Sequence, residues 1–384
     1  MRFVHSADWH LGKSLAGFSL LEDQAAALEQ VEAVCRDERV DALLVAGDIY
    51  DRSVPPTDAI RLFDDFLARM AKRAKVPVVV ISGNHDGAER LGFAADFLAE
   101  SGLHVRTRFA DRTTPVRLER GGVTAFVHTL PFLEPEAVRL ALGDDAVRDH
   151  DAAVRAALEG VRPPSRNSTE RHVLMAHLFC TGGFESPESE RPLAVGTAGH
   201  VQPSSLQGFD YVALGHLHRP QAVGGAAAIR YAGSLLKYSL SEASQSKSLT
   251  VVDLAGAAPV IREVPTLASR DVVELRAPVA SLLTDAAFAA HERDFVAVRY
   301  TDDGFVLHAA ERLRVRFPYL LQALPDRVAQ FAESEPTIEH RPDTPRALLE
   351  AFWEQVGVAF DLEEPHRELF ERLHREAGTQ GEDA

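Results

Sequence analysis

Residues 76–86 read Val-Pro-Val-Val-Val-Ile-Ser-Gly-Asn-His-Asp. The β-branched apolar run over 76–81 is the pattern of a strand buried on both faces. It stops at Ser82-Gly83-Asn84-His85-Asp86, where glycine and asparagine permit a tight backbone turn and where metal- and proton-binding side chains gather. The same figure occurs twice upstream. Residues 2–7 read as a short buried strand followed by Asp8 and His10, and residues 41–46 as an apolar run that ends in Gly47-Asp48. Helical periodicity fills the gaps. Over 22–38, Ala25, Leu28, Val31 and Val34 recur at three-residue steps. Over 57–72, Ile60, Phe63, Phe66, Leu67 and Met70 share one face. Strand, helix, strand, helix, strand, with continuous apolar strands, predicts α/β layers around a largely buried sheet.

Further on, 123–128 and 172–176 read as strands, with a long helical stretch over 134–160 between them, closed by Pro163-Pro164-Ser165. A strand at 211–214 runs into Gly215-His216-Leu217-His218, and 248–254 is another. The pattern changes near Pro265. Residues 270–340 hold two strand candidates (272–275 and 295–300) and two helical stretches, enough for a small α+β unit. The charged, proline-containing segment 333–345 reads as a linker. Two short amphipathic helices end the chain, one lined by Leu348, Leu349, Phe352, Trp353 and Val356, the other by Leu369, Phe370 and Leu373. The expected domains are 1–265, 266–340 and 341–384.

Composition narrows the function classes. The 384 residues include 57 acidic and 41 basic side chains, a net charge of −16. A hydrophobic fraction of 46% excludes wholesale disorder. No apolar run approaches the roughly 18–20 residues of a membrane span, and the first eight residues turn polar too early for a signal peptide. Cys35 and Cys180 cannot form a disulfide framework and lack metal-site spacing. The expectation is a soluble, cytoplasmic protein without membrane contact. The acidic balance argues against a free-standing nucleic-acid binder, because phosphate contacts need Lys and Arg.

The donors that close the strands carry the chemistry. Asp8, His10, Asp48, Asn84, His177, His216 and His218 all fall at strand ends, where open α/β sheets build their sites. Alternation along an extended chain would point Asp8 and His10 the same way. Seven oxygen and nitrogen donors suffice for two ions sharing a carboxylate. Without thiolate they suit Mn²⁺, Fe²⁺ or Zn²⁺. Each motif alone reads equally as a turn or a capped strand; together, each behind an apolar run, they read as a dinuclear site. His5 reads as a residue behind the site or in the core, and His128, His150 and His172 as structural or surface groups.

Asp8-Trp9-His10, Gly47-Asp48, Gly83-Asn84-His85-Asp86, His177 and Gly215-His216-Leu217-His218 resemble the five motifs of calcineurin-like metallophosphoesterases. Residues 5–13, 211–221 and 231–243 are similar to the bacterial DNA nuclease subunits of that superfamily. The resemblance implies a β-sandwich flanked by helices, a small α+β capping domain and a C-terminal helical pair. It puts Asp8, His10 and His218 on one ion, Asp48 between the two, and Asn84, His177 and His216 on the second. His85 matches the catalytic histidine. It further implies two Mn²⁺ (Mg²⁺ being an alternative), two-metal hydrolysis of DNA at double-stranded ends, single strands and hairpins, a homodimer, and an ATPase partner present in two copies. The capping domain would touch DNA, and the C-terminal helices would grip the partner's coiled coil.

Asp51 departs from some archaeal and eukaryotic relatives, which carry histidine there. Gly47 to Arg52 also resembles the Gly-Asp-x-x-Asp-Arg element of serine/threonine phosphatases, with Ser53 in place of its glycine and Asp86 rather than Glu after His85. By that likeness the Asp51 carboxylate would orient His85 and Arg52 would grip phosphate. Lys13, Arg52, Arg219 and Lys237 are the expected substrate contacts, with Arg312, Arg314 and Arg316 in the capping domain; Arg90 reads as a surface charge. Leu91, Phe93, Phe97 and Leu98 are the candidate dimer surface. The rival readings are another metallophosphoesterase (a phosphatase or cyclic-nucleotide phosphodiesterase) and a non-enzymatic scaffold.

Overall fold

A computed structural model describes residues 1–161, 163, 169–186, 199–256, 258–303, 306–326, 344, 346–347, 349–350 and 363–379. The chain divides into two compact units, Met1–Val272 and Val273–Ala384.

The first unit is built on two six-stranded sheets. In chain order its main strands are β1 (Arg2–Ser6), β2 (Ala42–Ala46), β3 (Val78–Ile81), β4 (Leu103–Arg106), β5 (Val116–Arg120), β6 (Val123–Leu130), β7 (Glu170–His177), β8 (Tyr211–Gly215), β9 (Gln221–Val223), β10 (Ala226–Tyr231), β11 (Ser248–Asp253) and β12 (Val260–Pro265). The first sheet has the order β12-β11-β1-β2-β3-β4, and the second β9-β10-β8-β7-β6-β5. The four strands β1 to β4 are parallel, while β11 returns antiparallel to β1 with Val4 opposite Val251. In the second sheet, β6, β7, β8 and β10 are parallel.

One apolar cluster lies between the sheets, drawing Phe3, Leu44, Val79 and Ile81 from one and Val127, Val173, Met175 and Tyr211 from the other. Leu43 and Val45 alternate to the opposite face and are also buried, which explains why these strands read as unbroken apolar runs. Helices α1 (Leu21–Asp37) and α2 (Thr57–Arg69) connect parallel neighbours, as parallel pairing requires. A second cluster joins the outer face of the second sheet (Leu130, Leu174, Val212, Leu214) to Val138 of α3 (Pro135–Leu142) and to Val154 and Leu158 of α4 (His150–Leu158). The single long helix expected over 134–160 is therefore two. Asp149 starts the second by accepting a bond from the Ala152 amide at 2.8 Å.

The first unit continues past Pro265. Arg270 is salt-bridged to buried Asp23, and Asp271 to Lys237. The second unit holds a three-stranded sheet of β13 (Val272–Ala277), β14 (Phe295–Tyr300) and β15 (Leu320–Pro325). The sequence suggests two strands here; β15, parallel to β14, is the third. Helix α5 (Ala309–Arg314) supplies the crossover, and Leu313 joins Val296, Val298, Phe317 and Leu320 in the core. The terminal helix α6 spans Glu364–Thr379, with Leu369 and Leu373 exposed. The proposed linker, and most of the first C-terminal helix, lie outside the described residues. Among the described residues, no helix is long and apolar enough to cross a membrane.

Candidate metal centre

The strand ends of both sheets converge on one cluster. Asp8 and His10 follow β1, Asp48 follows β2, Asn84 and His85 follow β3, His177 ends β7, and His216 and His218 follow β8. Asp8, His10, Asp48, His177, His216 and His218 are all buried. Asp8, His10 and His218 form one group whose ligand atoms lie within 4.8 Å of one another; Asp8, Asp48 and His177 form a second.

The Oδ2 atom of Asp48 lies between two sets of nitrogens, 3.6 Å from His10 Nε2 and 3.5 Å from His177 Nε2. On one side, His10 Nε2 faces His218 Nε2 at 3.1 Å. On the other, Asn84 Oδ1 is 3.0 Å from His177 Nε2 and 3.1 Å from His216 Nδ1. All seven donors expected from the sequence thus meet in one place.

These contacts fit a cation better than a hydrogen-bond network. His177 commits Nδ1–H to the Ala46 carbonyl at 2.9 Å, so its Nε2 turns a lone pair toward Asn84 Oδ1 and the Asp48 carboxylate. His218 likewise commits Nδ1–H to Glu242 at 3.0 Å and presents a lone pair to His10. His10 can donate from Nε2 only by leaving Nδ1, which has no hydrogen-bond partner, as a bare buried lone pair. Burial also holds the imidazoles neutral. His177 is pulled down to about 4, and His10, His216 and His218 are all lowered, chiefly by desolvation. Neutral imidazole is the metal-binding form.

The backbone is bent to serve the cluster. Asp8, His10, Asp48 and His216 all have positive φ, which non-glycine residues rarely adopt. Asp8 and His10 therefore converge through a left-handed turn past the strand end, not through the strand alternation that the sequence suggests. The motif glycine Gly83 is held by contact: a Cβ there would lie 2.1 Å from Asp48 Oδ1.

His85 is placed beside this cluster, with Nε2 4.0 Å from Asp48 Oδ2. Its Nδ1–H donates to the backbone carbonyl of Asp51 at 2.8 Å. The expected carboxylate contact is replaced by this carbonyl. The Asp51 carboxylate instead meets Lys13 Nζ at 3.2 Å and Arg52 at 3.6 Å, and lies 3.9 Å from His10 Nδ1. Lys13 and Arg52 thus stand at the cluster's edge. Arg219, next to His218, is exposed and lies over the Phe184 ring. Lys237 is drawn away: its ammonium is held by Asp271 and by the carbonyls of Ala243 and Val272. Arg316 is similarly committed, to Glu292 and the Leu282 carbonyl, leaving Arg312 and Arg314 as the exposed members of that trio.

Other residues that support the cluster carry little local signal in the sequence. Glu242 is fully buried behind His218 and salt-bridged to Lys247. Burial pushes its carboxyl up, but the His218 bond and the Lys247 charge prevail and hold it at about 2. It closes the 3₁₀ turn Leu240–Glu242 inside the stretch 231–243 that resembles the nuclease subunits, but no spacing in that stretch marks it as a partner of His218. Asp86 accepts from the amides of Ile49, Tyr50 and Gly83, tying the loops after β2 and β3 together. Gln24 donates to the His10 carbonyl at 2.7 Å from inside α1. His5 is a core group, bonded to Tyr211 and the Leu214 carbonyl.

The family model described as calcineurin-like phosphoesterase matches residues 1–220. The SbcD subunit of the nuclease SbcCD from Staphylococcus epidermidis is 32% identical over 358 residues, spanning 93% of each chain. Among solved structures, a Thermus thermophilus protein aligns at 15% identity and a TM-score of 0.37, covering 68% of this chain and 98% of its own. A dimetal phosphatase from Danio rerio aligns at 14% identity and a TM-score of 0.41, covering 70% and 97%.

Proposed function

This chain belongs to the calcineurin-like phosphoesterase family, and we propose that it is an SbcD-type nuclease, a divalent-metal-dependent hydrolase of DNA phosphodiesters. The observation that carries this reading is the seven-donor cluster, complete in a chain that matches an SbcCD nuclease subunit over 93% of its length. Asp8, His10 and His218 would hold one ion, Asn84, His177 and His216 a second, and Asp48 would serve both. Mn²⁺ is the proposed metal, in keeping with nitrogen and oxygen donors without thiolate. Two such ions, when bound, activate water and offset charge on the phosphoryl oxygens.

The chain's own groups do the rest. His85 has its ring fixed through Nδ1–H, so only as an imidazolium would it carry a second proton on Nε2, the nitrogen facing Asp48, to give to the leaving sugar oxygen. Such a general acid contributes typically 10²–10⁴-fold. Asp51 holds Lys13 and Arg52 at the cluster's edge, where both can meet phosphate oxygens.

The proposed assembly is a heterotetramer, with two copies of this chain and two of an SbcC-type ATPase. For the homodimer contact, Phe93 and Phe97 are 81% and 75% exposed on the short helical turns after the third motif. For SbcC, the exposed Leu369 and Leu373 of α6 support a coiled-coil contact. Arg312 and Arg314 remain the proposed DNA contacts of the capping domain.

The test is hydrolysis of labelled duplex, hairpin and single-stranded DNA with Mn²⁺ or Mg²⁺, with and without SbcC, beside a phosphopeptide and a cyclic nucleotide. Metal-dependent cutting of DNA alone is the expected result. Turnover of only the phosphopeptide or the cyclic nucleotide would support the rival phosphoesterase reading.

A further inference from the structure

An exposed aromatic ring lies against Arg219, the residue after candidate ligand His218, and has no part in the mechanism above. Phe184 is 66% exposed. It is also held firmly. The Gln221 side chain clamps its backbone from both ends, accepting from the Phe184 amide at 2.7 Å and donating to the Phe184 carbonyl at 2.9 Å. The Gln221 side-chain nitrogen also donates to the Arg219 carbonyl at 3.2 Å, so one side chain ties the aromatic residue to the loop after His218. The Arg219 guanidinium lies over the ring, 5.5 Å from its centre. Gly183 is pressed against Leu217, the residue between ligands His216 and His218; a Cβ there would lie 2.4 Å from Leu217 Cδ1. The backbone of Phe184 is thus tied to the loop that supplies two donors, with the Arg219 cation over its ring.

We propose that Phe184 is a specificity-determining residue: a stacking platform for an unpaired nucleobase next to the scissile phosphate, with Arg219 contacting the adjoining phosphate. This rests on the DNA-nuclease reading above. An aromatic face accepts any base and asks only that the base be out of the helix. The bidentate clamp fixes the Phe184 backbone, which reduces the loop-ordering entropy lost when a base stacks on the ring. The platform therefore favours single strands, hairpin loops and frayed ends over intact duplex, without sequence preference.

The experiment compares wild type with Phe184→Ala, Phe184→Leu and Phe184→Trp on single-stranded DNA, a hairpin and bis(p-nitrophenyl) phosphate, which offers a phosphodiester but no nucleobase. For Phe184→Ala and Phe184→Leu, kcat/KM on DNA relative to bis(p-nitrophenyl) phosphate is expected to fall about 5- to 150-fold, the range into which base–aromatic stacking converts. Phe184→Trp should keep the wild-type ratio. A single strand carrying 2-aminopurine should be quenched on binding by wild type and Phe184→Trp but not by the other two. An unchanged ratio in Phe184→Ala, or full activity in Phe184→Leu, overturns the platform. Failure of wild type to cut any DNA while hydrolysing the small diester would instead overturn the nuclease reading.

Discussion

Glu242→Gln should weaken metal binding without touching a proposed ligand. The carboxylate receives the Nδ1–H of His218 at 3.0 Å and is fully buried. A carboxylate behind a ligating imidazole fixes its tautomer and raises its basicity, and losing such a partner typically costs 10–100-fold in affinity, or about 1.4–2.7 kcal/mol. Glutamine keeps the volume and an acceptor oxygen but loses the charge. It also leaves the Lys247 ammonium without its ion-pair partner. Removing one member of a buried pair costs roughly 3–5 kcal/mol. Lys247 retains the His218 carbonyl and Gln245 Oε1, each at 2.8 Å, which puts the stability loss near the lower end, about 3 kcal/mol. The two effects separate in Glu242→Gln/Lys247→Met, which removes the ammonium that Glu242 had balanced. Calorimetric titration of metal-free protein with Mn²⁺ should show the affinity loss in both variants, while urea unfolding should show stability recovering only in the double. Binding within twofold of wild type in Glu242→Gln, or affinity restored by Lys247→Met, would refute the reasoning.

His85→Ala should bind Mn²⁺ as wild type does and lose roughly 10²–10⁴-fold in turnover, read by titration beside a nuclease assay. Asp48→Ala should reduce the bound Mn²⁺ stoichiometry, not only the affinity, because its Oδ2 faces both nitrogen sets. His5 makes stability fall with acid: burial lowers it from 6.5 to about 3, so its neutral form is favoured in the fold and its contribution shrinks as pH drops below 6.5. By pH 5 that amounts to about 2 kcal/mol, and urea midpoints at pH 7.5 and 5 should differ less in His5→Gln than in wild type. Deletion of residues 344–384 should abolish co-purification with SbcC and spare the Mn²⁺-dependent nuclease activity of the isolated chain.

The cluster is legible because each donor directly follows an apolar strand, and parallel strands bring their carboxyl ends to one side. Strand periodicity and chain order place Asp48, Asn84 and His177 without tertiary knowledge. What the sequence conceals depends on contacts between distant segments. Glu242 reaches His218 across 24 positions and Gln24 reaches the His10 carbonyl across 14, with no repeating spacing to reveal either. Asp51 shows a different limit. The motif points its carboxylate at His85, yet the bond is made by its backbone carbonyl, which every residue carries. Lys237 and Arg316 read as phosphate contacts because charge is visible in a sequence and the acceptors that occupy it are not. The break between α3 and α4 is marked by Gly143, which caps α3 in the left-handed conformation, and by the N-cap Asp149, signals that the apolar residues on both sides outweigh when the stretch is read as one helix.

The pairing of β1 with β11 has a consequence for any shortened form of the chain. The family model ends at residue 220, yet β1, whose end carries Asp8 and His10, is completed on one side by residues 248–253. A fragment stopping at 220 would expose a buried apolar strand edge, the usual template for intermolecular pairing, and would also lack Glu242. It should precipitate, whereas a fragment ending at Val272 should be soluble. The same order applies during synthesis. At about 5–20 residues per second, β1 precedes its partner by roughly 12–50 s. Over that interval the strand that opens the metal cluster is an unfinished edge, open to pairing with another chain.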